Sequence, residues 1–142
     1  MKGHTDLPQS KKLAEFLPLE SADMYYFTII RDYPYSQGKI KTIAKIMDGS
    51  FSSDYDTPCW SLAALLQVLP NEISTGEEWH NKYQIDIRKY DGVDNTTWYQ
   101  IAYGNNIGSS GSWHDMINTG ERQNLIDCCV DMILLCKEHN WL

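Results

Sequence analysis

The stretch Tyr83-Gln84-Ile85-Asp86-Ile87-Arg88 indicates the class of fold, because its apolar residues alternate strictly with polar ones. Such alternation is typical of a β-strand with one face toward a core and the other toward water. The turn residues Asp91-Gly92-Val93-Asp94-Asn95 follow, and residues 97–104 read as a returning strand. The sequence therefore predicts a hairpin, and with it an antiparallel sheet.

Two further strands are predicted earlier in the chain. Residues 24–30 are rich in aromatic and β-branched side chains, which favour strands. The apolar residues of 39–47 fit both a helix and a strand, and we favour a strand that pairs back on 24–30. We expect a sheet of about four strands in all.

Three helices complete the predicted fold. A short N-terminal helix is predicted over 10–17. Thr57 and Pro58 suit the N-cap and the first position of a helix, and apolar residues follow at helical spacing, which predicts a long helix over about 58–69. A second long helix with a broad apolar face is predicted over about 125–139. The expectation is an α+β fold in which the helices pack on one face of the antiparallel sheet.

The length of the chain favours a single domain. The sequence has 142 residues, of which 42% are hydrophobic, and two separate cores would each be small for independent stability. We therefore predict one globular domain over 1–142. Within it, residues 105–123 include a Gly/Ser-rich run and are predicted to form a flexible loop.

The charge and the apolar pattern exclude several kinds of partner. Nineteen acidic and twelve basic residues give a net charge of −7 at pH 7, which disfavours nucleic acid and anionic membranes. No apolar run approaches the roughly 20 residues that cross a bilayer. The first residues lack the apolar stretch of a secretory signal. We expect a cytoplasmic protein whose four cysteines are reduced and mostly buried.

Three separated blocks of sequence carry a resemblance to a known family. They are Ser21-Ala22-Asp23-Met24, then Thr57-Pro58-Cys59-Trp60-Ser61-Leu62-Ala63-Ala64-Leu65-Leu66, and Ile126-Asp127-Cys128-Cys129-Val130-Asp131-Met132-Ile133 near the end. Together they are similar to an uncharacterised family of short proteins from gut bacteria, their phages and other mobile elements. The resemblance implies a bacterial or phage protein of the cytoplasm, and it implies no mechanism.

Cys59 is the strongest candidate for a catalytic residue. A cysteine at a predicted helix N-terminus has its thiolate favoured by the helix dipole, and the Cys-Trp pair resembles that of papain-like proteases, with His80 and His114 following in the matching chain order. Against this, the carboxylates of Asp54 and Asp56 would raise the thiol pKa, and Cys59 lies on the apolar stripe of the predicted helix. We favour a buried packing cysteine and keep a cysteine hydrolase as the alternative.

The histidines also raise the possibility of a metal site. Trp79-His80 and Trp113-His114 both lie in polar segments near carboxylates, and imidazole with carboxylate can bind a divalent transition metal. The spacing does not match that of a zinc motif such as His-Glu-x-x-His. We therefore predict exposed loop histidines, with no metal and no cofactor.

Aromatic residues are the feature that most favours a function. Phe, Trp and Tyr make up 12% of the chain, and tryptophan and tyrosine are enriched at protein interfaces. Those in predicted loops form a candidate interaction surface: Tyr33, Tyr35, Tyr55, Trp79 and Trp113. The preferred hypothesis is a non-enzymatic accessory domain that binds a protein or, as a weaker possibility, a sugar. The sequence leaves the oligomeric state open.

Overall fold

The computed structural model describes residues 2–30, 40–76, 81–106 and 111–142 and confirms an α+β fold. Described helices and strands are, in chain order, α1 (Leu7–Ala14), a 3₁₀ turn (Leu19–Ser21), β1 (Met24–Ile30), β2 (Ile40–Ile46), β3 (Thr57–Cys59), α2 (Leu62–Val68), β4 (Glu72–Ser74), β5 (Lys82–Asp91), β6 (Thr97–Asn106), β7 (Trp113–Asn118) and α3 (Leu125–Glu138). The strands form two antiparallel sheets, where one sheet of about four strands was predicted.

The chain divides into two compact units. One is Gly3–Ala64, and the other is Leu65–Leu142 with the first two residues. The first contains α1 and a sheet of strand order β2-β1-β3, and the second contains α3 and a sheet of strand order β4-β5-β6-β7. The single domain over 1–142 stays a prediction.

The three-stranded sheet confirms the strand predicted over 39–47. β2 pairs with the whole of β1, from Met24 opposite Ile46 to Ile30 opposite Ile40. β3 pairs with the other edge of β1, and α1 packs against β3. Pro58 is tolerated in β3 because this strand lies at the edge of the sheet, where a missing backbone donor leaves no ladder bond unmade.

The helix predicted over 58–69 begins later than expected, so the N-cap assigned to Thr57 was wrong. Residues 57–59 form β3, and α2 begins at Leu62. The hydroxyl of Ser61 accepts a hydrogen bond from the amide of Ala64 at 3.3 Å. The pair Thr-Pro suits the start of a helix and an edge strand equally, and the pairing with β1 decides for the strand.

The N-terminal helix begins before its predicted position of 10–17. Asp6 and Gln9 form a capping box, in which the amide of Gln9 donates to Asp6 Oδ1 at 2.9 Å and the amide of Asp6 donates to Gln9 Oε1 at 3.1 Å. Pro8 fits the first turn of this helix, where its missing N–H costs nothing. The caps therefore set α1 at Leu7–Ala14.

In the second unit, the predicted hairpin is confirmed by β5 and β6, which pair from Gln84 opposite Gly104 to Asp91 opposite Thr97. Two edge strands, β4 and β7, were not predicted. β7 corrects the loop interpretation of residues 105–123, because Trp113–Asn118 pairs with β6. The predicted flexibility of the rest of that segment stays a prediction.

Helix α3 covers one face of the four-stranded sheet. Asn124 caps it by accepting a hydrogen bond from the amide of Ile126 at 2.9 Å, close to the predicted start. The Cys128 thiol donates to the carbonyl oxygen of Tyr99 on β6 at 3.2 Å. None of the helices in the described parts of the chain is long and apolar enough to cross a membrane.

Candidate interaction surface

The face of the four-stranded sheet opposite α3 carries partly exposed aromatic and charged side chains. On β6, Tyr99, Ile101 and Tyr103 are buried, and burial together with the nearby cysteines of α3 raises the pKa of Tyr103. Since side chains alternate along a strand, the residues between them point the other way. We call the part of this second side that is formed by seven residues the aromatic face: Asp86, Arg88, Tyr90, Trp98, Gln100, Trp113 and Asp115.

A β-bulge places two of these residues on the aromatic face. Tyr103 pairs with Ile117, but the next residue, Gly104, pairs with Asp115, so Met116 is the extra residue of β7. A shift of one residue reverses which side chains face which side of a sheet. Without the bulge, Trp113 and Asp115 would lie on the side that α3 covers. The bulge is therefore what completes the aromatic face.

A single guanidinium connects three strands at the centre of this face. Arg88 on β5 makes a bidentate ion pair with Asp115 on β7, through bonds of 2.9 and 2.5 Å. Its Nε donates to Asp86 at 2.7 Å, and its Nη1 donates to Gln100 on β6 at 3.1 Å. This ion pair holds the pKa of the Asp115 carboxyl below its usual range. Planar, bidentate bonding fixes the orientation of these side chains.

Each tryptophan of the aromatic face lies against a glycine. The Trp113 indole packs on Gly104, where an added β-carbon would lie 2.8 Å from the ring, and its Nε1 donates to Asp115 at 2.8 Å. The Trp98 indole packs on Gly92 of the β5–β6 turn in the same way, with 2.8 Å between an added β-carbon and Nε1. Both rings are half-buried. Fixed, partly exposed rings on a sheet form rigid platforms for a ligand.

Two of the five residues predicted for an interaction surface, Tyr55 and Trp113, lie in the described parts of the chain. Tyr33, Tyr35 and Trp79 lie outside the described residues. Tyr55 is 84% exposed in a turn of the Gly3–Ala64 unit. Trp113 belongs to the aromatic face, where it lies in a strand and not in the expected loop.

Sequence reasoning missed Trp98, Tyr90 and Arg88 as parts of a surface. All three lie in segments that were predicted as strands, and the alternation already separates the polar side of 83–88 from its apolar side. The missing information was the register, which places Tyr90 opposite Trp98 and Arg88 opposite Gln100. The five-residue turn between the strands does not fix the register by itself. The alternation of polar and apolar residues in 83–88 could have suggested which residues share a face.

Cys59, the candidate nucleophile, is fully buried in β3. It lies in a strand and precedes the first residue of α2, so the dipole argument for activating its thiol was wrong. The thiol contacts Thr5, whose hydroxyl lies 3.5 Å and whose carbonyl oxygen lies 3.5 Å from the sulfur. Burial raises the pKa of the Cys59 thiol. A buried, protonated thiol suits packing and is poorly suited to nucleophilic attack.

The surroundings of Cys59 form a small buried polar cluster. Thr5 and Ser10 are fully buried, and their hydroxyl oxygens lie 2.7 Å apart. The amide of Trp60 donates to the Thr5 hydroxyl at 3.1 Å, and the Tyr26 hydroxyl donates to the Thr5 carbonyl at 2.8 Å. These bonds satisfy the polar groups around the thiol and attach the N-terminal residues to β3.

The structure describes one of the two histidines proposed as partners of Cys59 or as metal ligands. His80 lies outside the described residues, and His114 is exposed on β7 opposite Asn105. Within the described segments, no three His, Cys, Asp or Glu side chains are grouped to hold a metal ion. The cysteine-hydrolase and metal hypotheses stay predictions.

Comparison of the chain with protein-family models, with curated proteins and with solved structures finds no match. The chemistry of the described residues is therefore the basis for assigning a function.

Proposed function

We propose that this protein is a non-enzymatic interaction domain that binds another protein through its aromatic face. The observation that carries the proposal is the pair Trp98 and Trp113, half-buried and fixed on the sheet face opposite α3. Tryptophan is among the residues that dominate binding energy at protein interfaces. Because each ring already packs against a glycine of the sheet, binding loses little side-chain entropy.

The polar centre of the aromatic face supports the same proposal. Arg88 and its partners form an ordered polar patch at strand positions between Trp98 and Gly104. An interface commonly combines aromatic anchors with such ordered polar groups. The resemblance to proteins of gut bacteria and their phages adds that this domain acts in the bacterial cytoplasm, as an accessory protein.

The cysteine-hydrolase alternative requires an accessible thiolate at Cys59. The complete burial of Cys59 and the raised pKa of its thiol favour a packing role. None of the contacts that the described residues make with this sulfur favours catalysis.

Capture of a partner from a lysate of the source cells tests the proposal. We expect the immobilised protein to retain a protein in stoichiometric amount, and the double variant Trp98→Ala/Trp113→Ala to lose it. Trp141→Ala is the matched control, because Trp141 follows α3 and stacks on His139, with ring centroids 4.4 Å apart. Equal capture by wild type and double variant, or no stoichiometric partner, contradicts the proposal.

A further inference from the structure

We infer that the aromatic face binds a cationic, extended segment of its partner, with one arginine or lysine side chain against each tryptophan. This inference rests on the proposed function and adds the chemical class of the partner. It is argued from the charge of the face, from the carboxylates beside the aromatic residues, and from the spacing along β6 of the positions at the two tryptophans.

The charge of the aromatic face favours a cation. Arg88 is already paired with both Asp86 and Asp115, and Lys82 on the same side of β5 is paired with Glu72 of β4, which leaves an excess of one carboxylate. The whole chain carries a net charge of −7 at pH 7. A polyanion such as nucleic acid would be repelled, whereas a basic segment would be attracted and oriented on approach.

Acidic groups lie beside Trp113 and beside Tyr90, the residue that pairs with Trp98. The Trp113 indole N–H donates to Asp115 at 2.8 Å, so that a carboxylate is fixed beside the ring. At the other end, Trp98 lies opposite Tyr90, and burial together with the neighbouring Glu121 carboxylate raises the pKa of the Tyr90 hydroxyl. A ring with a neighbouring carboxylate attracts a guanidinium or ammonium group through cation–π and ionic contacts.

The spacing along β6 of the positions at the two tryptophans sets the length of the ligand. Trp98 and Gly104, on which Trp113 packs, are six residues apart on β6, and six residues of strand span about 20 Å. An extended peptide covers the same distance with two side chains six residues apart. The geometry therefore selects two basic residues at positions i and i+6 of an extended segment.

Synthetic peptides test this inference on the full-length protein. The probe is a fluorescein-labelled Ser/Thr-rich peptide with arginine at positions i and i+6, compared with peptides carrying two adjacent arginines, or glutamate at i and i+6. Anisotropy titration is expected to give at least about tenfold tighter binding for the i, i+6 arginine peptide, the change that one good side-chain contact supplies. Binding is expected to weaken as salt increases, because the contacts are ionic and exposed.

Single variants locate the binding. Trp98→Ala and Trp113→Ala are each expected to lower the affinity for the i, i+6 arginine peptide by about tenfold. Glu121→Gln is expected to lower this affinity by a smaller factor. Trp141→Ala is expected to bind like the wild type. Thermal unfolding of each variant verifies that it is folded, and Trp98→Phe, which keeps a ring, is expected to retain part of the affinity.

Three results overturn the inference: equal affinity for all three peptides, affinity unchanged in both tryptophan variants, or preferential binding of a neutral oligosaccharide. The capture experiment separates this failure from that of the proposed function. If the double tryptophan variant loses a protein partner but no arginine peptide binds, the interaction domain stands and the cationic ligand is wrong. If neither binding occurs, both are wrong.

Discussion

At the scale of single residues, Arg88 has the largest set of polar contacts in the aromatic face. Its guanidinium bonds to Asp86 on its own strand, to Gln100 on β6 and to Asp115 on β7. The side chains of Arg88 and Asp115 are only 27% and 24% exposed, so their ion pair is screened less than one on an open surface. Removing the cation would leave two neighbouring carboxylates without their common partner.

We expect Arg88→Ala to lower the free energy of unfolding by about 1–2 kcal/mol, because charged hydrogen bonds are lost and like charges remain. Urea denaturation at pH 7 measures this. The control is Lys82→Ala, which removes a more exposed ion pair whose Lys82 Nζ and Glu72 Oε1 atoms lie 3.9 Å apart. This substitution should change the free energy of unfolding by less than about 0.5 kcal/mol. Equal effects of the two substitutions would contradict the role given to Arg88.

The same pair predicts a dependence on acid. Arg88 lowers the pKa of the Asp115 carboxyl, so the stability from this group is present above the unfolded-state pKa of about 3.9 and is lost as pH falls through the folded-state pKa. The difference in unfolding free energy between wild type and Arg88→Ala should therefore shrink below about pH 4. A difference that stays constant from neutral to acid pH would show that the ion pair is not its source.

Cys59 provides the residue-scale test of chemistry. Because its thiol is fully buried and its pKa is raised by burial, we expect iodoacetamide to label it at neutral pH only after denaturation. Mass spectrometry of native and urea-unfolded protein assigns the labelled positions, and the remaining three cysteines, which are also buried, serve as the internal comparison. Rapid, selective labelling of native Cys59 would instead favour the hydrolase.

At the scale of elements, the sequence predicts periodic segments well and their partners poorly. Period-two alternation identified the β5–β6 hairpin, and capping residues identified α3. β7 was missed because its bulge at Met116 breaks the alternation on which strand prediction depends. The start of α2 was misplaced because Thr57-Pro58 fits an edge strand as well as a helix start. Trp113 was therefore assigned to a loop, and the aromatic face was not predicted.

Gly104 is the position where the packing of β6 and β7 is most restrictive. A β-carbon there would overlap the carbonyl oxygen of His114 and lie 2.8 Å from the Trp113 ring. We expect Gly104→Ala to cost about 1–3 kcal/mol, as overpacking of a filled site does, and to displace Trp113. Urea denaturation measures the cost, and Gly49→Ala, where an added β-carbon meets nothing within 4 Å, is the control. An unchanged midpoint for Gly104→Ala would mean that β7 does not pack on β6 as described.

At the scale of the whole molecule, buried thiols in both compact units make the stability of the fold depend on alkaline pH. Cys59 lies in one unit, whereas Cys128, Cys129 and Cys136 lie in the other. Burial raises the pKa of all four thiols. The pKa of Cys129 rises to about 12, to which the neighbouring Cys128 contributes a smaller part, and the pKa of Cys136 rises to about 11. These thiols therefore stay protonated in the folded chain at pH values where they ionise in the unfolded chain.

The unfolded chain binds fewer protons than the folded one between its thiol pKa of about 8.5 and the folded values, so stability must fall as pH rises through that window. Each such thiol lowers the free energy of unfolding by up to about 1.4 kcal/mol per pH unit. We expect the thermal midpoint to be constant from pH 7 to about 8.5 and to fall steadily above it. Cys136→Ala should start from a lower stability, since it leaves a cavity, but should decline less steeply with pH because one titrating group is gone. A midpoint that does not fall up to pH 10.5, or an unchanged slope in Cys136→Ala, would mean that these thiols are open to solvent and not packed inside the two units.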